Sequence, residues 1–456
     1  MTANDHFNII NKAFSAGYER LAALKAWKKI NGNRSLCKSR GETNCHIHTI
    51  YSFSPYTPSM AALQAFEANL EAAGSVDHDS ISAAQEMLNA CAVLGIGGCA
   101  GFEVRAGFKK GADGKPSVFA DRKMNNPDSK GLVYMTVQGI PKPYIKDASD
   151  FLKPVREERL KRTREMTVSA NVLLREAGFK EIDFEKDIFA KSKYSEGGGI
   201  TERHLLAAAA EKIIDFCKKK PDTAEILALK MGIKAPPKIA SLLSDPDNPH
   251  YLYDLLGVLK AQFLPLIFIQ PDDNECIPAD RVTSFARLIC AVSAYAYLGD
   301  VLDSPTGDKK AEKFEDDFID DLFAELSRLD FKAVAYMPVR NTPEQLGVLR
   351  RLSREWGFME ISGADINSSR QSFNCPQILT EEFHHLTNAA WALIAHEKLA
   401  GVDKNLGLFS RENPLSSFIP EERLAAYSVF GKKLDLFHPD ESACEIAEEI
   451  KKGRLL

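Results

Sequence analysis

Between residues 43 and 105 the chain alternates short apolar stretches of strand composition with stretches of helical periodicity, and this alternation restricts the fold more than any other feature. Residues 43–49 read as a strand, 59–73 as a helix, 74–78 as a second strand, 81–94 as a helix and 98–104 as a third strand. Strands linked through helices pack as a parallel sheet, open or closed, because a parallel crossover needs about a dozen residues and a helix supplies them. The rhythm lapses after residue 105. Residues 106–130, rich in Gly, Asp, Lys and Asn, read as an excursion, and 132–140 has strand character. Residues 148–195 read as wholly helical, and the run Arg156, Arg159, Lys161, Arg162 and Arg164 predicts a solvated helix face. Gly197-Gly198-Gly199 closes the excursion, and strand-like segments return at 264–270, 333–336 and 358–362. Residues 6–30 repeat apolar side chains at helical spacing and break at Asn31-Gly32-Asn33. The expected organisation is a helical segment at 1–40, an α/β unit from 41–105 and 200–380, an insertion at 106–199 and a helical region at 381–456.

Composition excludes several function classes. A formal net charge of −5 over 456 residues provides no basic stripe for the backbone of duplex nucleic acid. No run reaches the roughly 20 apolar residues of a membrane span, and residues 1–30 lack the apolar core of a secretory signal. The nine cysteines show no CxxC spacing and read as reduced thiols, so the cytoplasm is the expected compartment.

Residues suited to metal ligation recur where these strands end. His46 and His48 stand two apart on the first strand, so both rings leave the same face, about 7 Å apart along it. Asp77-His78-Asp79 ends the second strand. Glu103 and Arg105 share a face of the third, and Glu103 is costly to bury without a partner. Thr201-Glu202-Arg203-His204 follows the triple glycine at a helix start, and Asp365-Ile366-Asn367 follows the strand at 358–362. Each has a plainer explanation: Asp77 and Asp79 suit a helix cap, Asp365 and Asn367 a turn, and a lone histidine the core. Together, in chain order, they point to a site at the C-terminal ends of barrel strands.

These motifs resemble those of the PHP (polymerase and histidinol phosphatase) superfamily of metal-dependent phosphoesterases. The resemblance rests on His46-Ile47-His48-Thr49, Asp77-His78, Gly101-Phe102-Glu103 and Ser362-Gly363-Ala364-Asp365, and covers roughly 43–105 and 200–370. It is nearest the branch acting on nucleoside 3′,5′-bisphosphates and short RNA 5′ ends. In that branch a helical insertion ends in Arg-Pro-His, which Arg203-His204-Leu205-Leu206 resembles without its proline. The resemblance implies a distorted (β/α)7 barrel of TIM-like form with a mostly helical insertion. It also implies metal ligation by His46, His48, Glu103 and Asp365, with Glu103 and His204 serving a second ion and His78 a third. The chain departs from the family pattern at Phe53, Met337-Pro338 and Asn367, where Asp or His, His-Pro and a closing His are usual. One or two divalent ions, zinc, manganese or iron, are therefore expected.

The implied activity is hydrolysis of a phosphomonoester, of a nucleotide or sugar phosphate, by water activated at the metal. Arg105, Arg340, Asn367 and Arg370 are candidate contacts for a small phosphorylated substrate, since guanidinium forks match phosphate. His78 and Asp77 are candidate catalytic groups. Two alternatives stay open: a catalytically degenerate barrel that binds a metal or ligand, and a metal hydrolase of amide or ester bonds. The acidic run Pro271-Asp272-Asp273-Asn274-Glu275 reads as a solvated loop, and Asp300 as a lesser candidate for the pocket wall.

Overall fold

The computed structural model describes residues 2–31, 41–108, 117–220, 222–301 and 312–454. Gly32 and Asn33 of the expected break, and 109–116 of the expected excursion, lie outside these residues.

The strands are β1 (Thr43–Ile47), β2 (Ala72–His78), β3 (Gly97–Gly107), β4 (Leu132–Gln138), β5 (Ile277–Pro278), β6 (Val292–Ala296), β7 (Ala333–Tyr336) and β8 (Met359–Ser362). The helices through the first half are α1 (Ala3–Ile10), α2 (Gly17–Ile30), α3 (Pro58–Glu67), α4 (Ala84–Leu94), α5 (Ile145–Glu176), α6 (Glu202–Cys217), α7 (Thr223–Met231) and α8 (Pro237–Leu243). They continue as α9 (Tyr251–Gln262), α10 (Leu264–Ile267), α11 (Ala279–Leu288), α12 (Ile319–Arg328), α13 (Pro343–Trp356), α14 (His384–Val402), α15 (Pro420–Lys433) and α16 (Pro439–Lys451).

One curled sheet runs in the order β1-β2-β3-β4-β6-β7-β8, with β5 paired to the end of β3. It is an incomplete barrel of mixed α/β class, flanked by helices that include the expected insertion and C-terminal group. The curl brings the segment after β8 back to β1, where His48 N donates to Ile366 O at 2.8 Å and Ile366 N to His46 O at 3.1 Å. The sheet is not wholly parallel: β4 runs antiparallel to both β3 and β6. No helix bridges β3 and β4 among the described residues, so the chain turns back on itself there. Apolar side chains on the helix-facing surface of β3, such as Phe102 and Val104, join a core that α11, α12 and α13 close.

Several element expectations need correction. The helix expected over 6–30 is two, α1 and α2. The helix expected over 59–73 ends with α3, because Ala72 and Ala73 already pair in β2. Residues 264–270 form no strand. Pro265 sits in the first turn of α10, and Leu264 and Ile267 pack with the insertion helices instead of entering the sheet.

The charged run of α5 departs most from expectation. Lys161 and Arg164 are exposed, but Arg156, Arg159 and Arg162 are 7%, 3% and 6% exposed. Spaced three apart, they form one helix face that lies against the sheet instead of in water. Arg159 reaches Asp79 at 2.5 Å and Glu202 at 2.6 Å, while Arg162 reaches Glu202 at 2.6 Å and Glu275 at 2.5 Å. Glu275, expected in a solvated loop, is 3% exposed. Buried arginines persist here because buried carboxylates neutralise them. The network fastens α5 to the ends of β2 and β3.

Candidate metal centre

The strand geometry assembles the site. His46 and His48 leave one face of β1 with ring centroids 5.2 Å apart, and His48 lies 4.6 Å from the ring of His78 at the end of β2. The β2–β3 register sets His78 beside Glu103, with Nδ1 2.9 Å from Oε2. Asp365 arrives from the turn after β8 at φ +45°, its Oδ1 3.0 Å from His48 Nε2 and 4.0 Å from His46 Nε2. Two overlapping groups result, His46–His48–Asp365 and His48–His78–Glu103, each with ligand atoms within 4.8 Å of one another.

These groups have the chemistry of a cation site. His46 Nε2, His48 Nε2 and His78 Nδ1 are buried without a hydrogen-bond partner although carboxylate oxygens face them. Burial lowers the pKa of His46, and lowers that of His78 far more. Burial acts on His48 in the same sense, but Asp365 and then Glu103 outweigh it and leave His48 raised. Burial raises Glu103. Burial also opposes ionisation of Asp365, yet the neighbouring His48 and His46 hold that carboxyl low. Burial thus favours the neutral ring at His46 and His78, which leaves each imidazole one nitrogen lone pair to offer a divalent ion set between the rings and the carboxyl groups. Imidazole with carboxylate suits zinc, manganese or iron.

Neighbouring groups hold the ligands in place. Asp77 accepts from Thr49 N at 2.7 Å, Thr49 Oγ1 at 2.7 Å and Ser52 Oγ at 2.5 Å, and Ser52 Oγ stands 3.2 Å from His48 Nδ1. Asn44 Oδ1 accepts from both His46 N and Ala364 N, tying β1 to the turn that carries Asp365. Gly363 is required at that turn, because a Cβ there would stand 2.3 Å from His46 Cβ. The triple glycine serves a similar purpose: Gly199 N donates to Tyr51 O, and a Cβ on Gly199 would meet His78 O at 2.9 Å.

The structure therefore brings His46, His48, His78, Glu103 and Asp365 together, and Arg340 and Asn367 line the same cleft. Five residues expected at the site lie elsewhere. His204 joins neither group; its Nδ1 accepts from Thr201 N at 3.0 Å, Phe53 packs edge-on to its ring at 5.1 Å, and burial lowers its pKa to about 3. Arg105 is committed to Glu202 at 2.5 Å and Glu275 at 3.2 Å instead of facing the cleft. Arg370 pairs with Asp254 at 2.6 Å. Asp77 spends its oxygens on the 49–52 turn, so its contact is with the support of His48. Asp300 is occupied by Phe314 N, at 2.7 Å.

Sequence reasoning missed Arg203, Lys260, Tyr134 and Asn125, which also line the cleft. Tyr134 stands opposite Arg105 across the β3–β4 register and accepts from Arg105 Nε at 3.1 Å. Burial raises its pKa to about 12, so it keeps its proton. Arg203 adjoins His204 and was within reach of the motif. It donates to Asn367 O at 3.0 Å. Lys260 comes from α9, far along the chain from the clustered histidines and carboxylates, and no local pattern marks it.

No protein-family model matches the chain, and no curated protein matches it. The solved structures similar to it include the following two. A protein from Bifidobacterium adolescentis, provisionally named a metal-dependent phosphoesterase, is 16% identical with a TM-score of 0.47; the match covers 76% of this chain and 96% of that one. An amidohydrolase from Chromobacterium violaceum, with bound sulfate and no metal, is 15% identical with a TM-score of 0.47, over 73% of this chain and 90% of that one. Among the described residues no helix is long and apolar enough to cross a membrane.

Proposed function

We propose that the chain is a metal-dependent hydrolase of phosphate monoesters, acting on a small phosphorylated substrate. One observation carries this reading: three buried imidazole nitrogens and two carboxylates converge at the floor of a cleft whose walls carry Arg203, Lys260 and Arg340. A divalent ion held by His46, His48, His78, Glu103 and Asp365 supplies Lewis acidity toward a phosphoryl group and acidifies water. The chain's own residues supply the rest. Arg203, Lys260 and Arg340 offset charge that develops on the phosphoryl oxygens. Tyr134, protonated and oriented by Arg105, presents a hydroxyl to the cleft, where it can donate to a substrate oxygen. Asn367 Nδ2 donates to Asp365 Oδ1 at 3.0 Å and steadies that ligand. Asp77 acts through Ser52 on His48, so its role is positioning.

Three cations on the cleft wall favour an anionic substrate over a neutral amide, which is why the phosphoester reading is placed above amide hydrolysis. Elemental analysis of protein purified without added metal, followed by assay of a phosphomonoester panel with manganese, tests it. Bound transition metal together with phosphate release supports the proposal. Metal with release from amides alone would replace the substrate class, and absence of metal after reconstitution would overturn the site.

A further inference from the structure

The metal cluster gathers at the C-terminal ends of the strands, yet a separate cavity of about 580 Å³ opens at the opposite end, below β7 and β8. Phe331 and Lys332 precede β7 there, and Phe358 precedes β8. That volume lies in the range of small-molecule pockets, and it shares no lining residue with the metal cleft. One wall is α13, whose Arg350, Ser353 and Arg354 recur at helical spacing, with Gly357 capping its end. The facing wall is α14, with His385, Asn388 and Ala389, and the first turn of α15.

The lining chemistry is specific. Phe331, Trp356, Phe358 and Phe409 supply flat apolar area, and Trp356 is 43% exposed, which is uncommon for so large a ring. Most charged groups are already matched: Lys332 with Asp330, Arg350 with Glu382 at 3.3 Å, and Glu360 with Tyr336 Oη at 2.6 Å and His385 at 3.2 Å. Arg354, on the last turn of α13, has no acid within ion-pair reach among the described residues. Ser353 Oγ is fully buried and lacks a hydrogen-bond partner.

We infer that this cavity is a second binding site, for a small planar aromatic molecule carrying an anionic group. The ring packs among Trp356, Phe358 and Phe409, and the anion meets Arg354. Arginine suits this position because its guanidinium both stacks on rings and forks onto carboxylate, sulfonate or phosphate. Tyr336 gives such a ligand a route to the cleft, since it lines the cleft while its hydroxyl is held by Glu360 of the cavity.

Calorimetric titration of the full chain with naphthalene-1-sulfonate, beside its neutral counterpart naphthalen-1-ylmethanol, tests the inference. One saturable site is expected for the sulfonate, with at least tenfold weaker binding in Arg354→Ala and in Trp356→Ala, and at least tenfold weaker binding of the neutral probe. Thermal melting of each variant verifies that it folds. Equal binding of the two probes, binding unchanged in both variants, or binding lost in Lys260→Ala of the metal cleft would overturn the site. None of these readouts depends on metal or on hydrolysis, so the cavity and the proposed activity stand or fall separately.

Discussion

His78 Nδ1 and Glu103 Oε2 stand 2.9 Å apart, in direct register across β2 and β3, and no hydrogen bond joins them. An imidazole nitrogen and a carboxylate oxygen buried face to face without a hydrogen bond are unfavourable alone and favourable around a cation. His48 is common to both ligand groups, so it is the residue whose loss should matter most. His48→Ala is expected to abolish stoichiometric metal after dialysis, read by elemental analysis. Ser52→Ala, which leaves every ligand in place but frees the His48 ring, should weaken metal binding roughly 10–100-fold. If Ser52→Ala binds metal as the parent does, Asp77 and Ser52 have no positioning role.

Gly363→Ala tests the closure of the barrel at the site. Its added methyl would collide with His46 Cβ, at 2.3 Å, and crowd His46 N and Cα, at 3.1 and 3.2 Å. The turn carrying Asp365 must therefore withdraw from β1. Metal affinity should fall at least tenfold with little change in helical circular dichroism. Unaltered affinity would show that the turn yields without moving Asp365.

Phe53 tests how many ions the proposed site can hold. It occupies φ +77°, where a bulky residue is strained and Asp is better tolerated, and its ring walls off His204. Phe53→Asp replaces that wall with a carboxylate beside the imidazole. Metal content, counted per chain in the presence of excess manganese, is expected to rise by about one ion. A count identical to that of the parent would mean that His204 is excluded by more than Phe53.

The side chains that converge in the cleft were legible as candidates because strand ends compress them into short motifs: His46 and His48 by alternation, Glu103 by the cost of burying it, and Asp365 by its place after β8. What stayed hidden depends on contacts between distant segments. Nothing local to Arg159 or Arg162 shows that Glu202 and Glu275, 43 and 113 residues away, will meet them, so a charged helix read as solvated. Tyr134 needed the antiparallel register of β4, and Lys260 needed the packing of α9 over the cleft. Arg105 lies on the Glu103 face of β3, but Glu202 and Glu275 hold it against Tyr134 instead of in the cleft.

Arg159→Met follows from the same network. Removing one guanidinium leaves Asp79 and Glu202 buried without enough positive charge, a loss of about 3–5 kcal/mol. The denaturant midpoint should drop accordingly, whereas Lys161→Met, on the exposed face of the same helix, should shift it little. Equal small shifts for the two would return α5 to the solvated role that its composition first suggested.

His396 predicts an acid-sensitive component of stability remote from the candidate metal centre. It is 2% exposed, its Nδ1 accepts from Leu408 N at 2.8 Å, and burial lowers its pKa to about 4. The unfolded chain takes up this proton near pH 6.5, the folded chain only near 4. Between those values the unfolded state binds more protons, so stability falls as pH falls, by up to about 1.4 kcal/mol per unit. Below about pH 4 both states are protonated and the slope from this group ends. His396→Gln keeps a side-chain acceptor for Leu408 N and removes the titration. Chemical denaturation of both proteins at pH 7 and 4.5 should show the parent losing about 2–3 kcal/mol more than the variant over that interval. Parallel losses would mean that His396 titrates alike in both states, and that its burial is not maintained in solution.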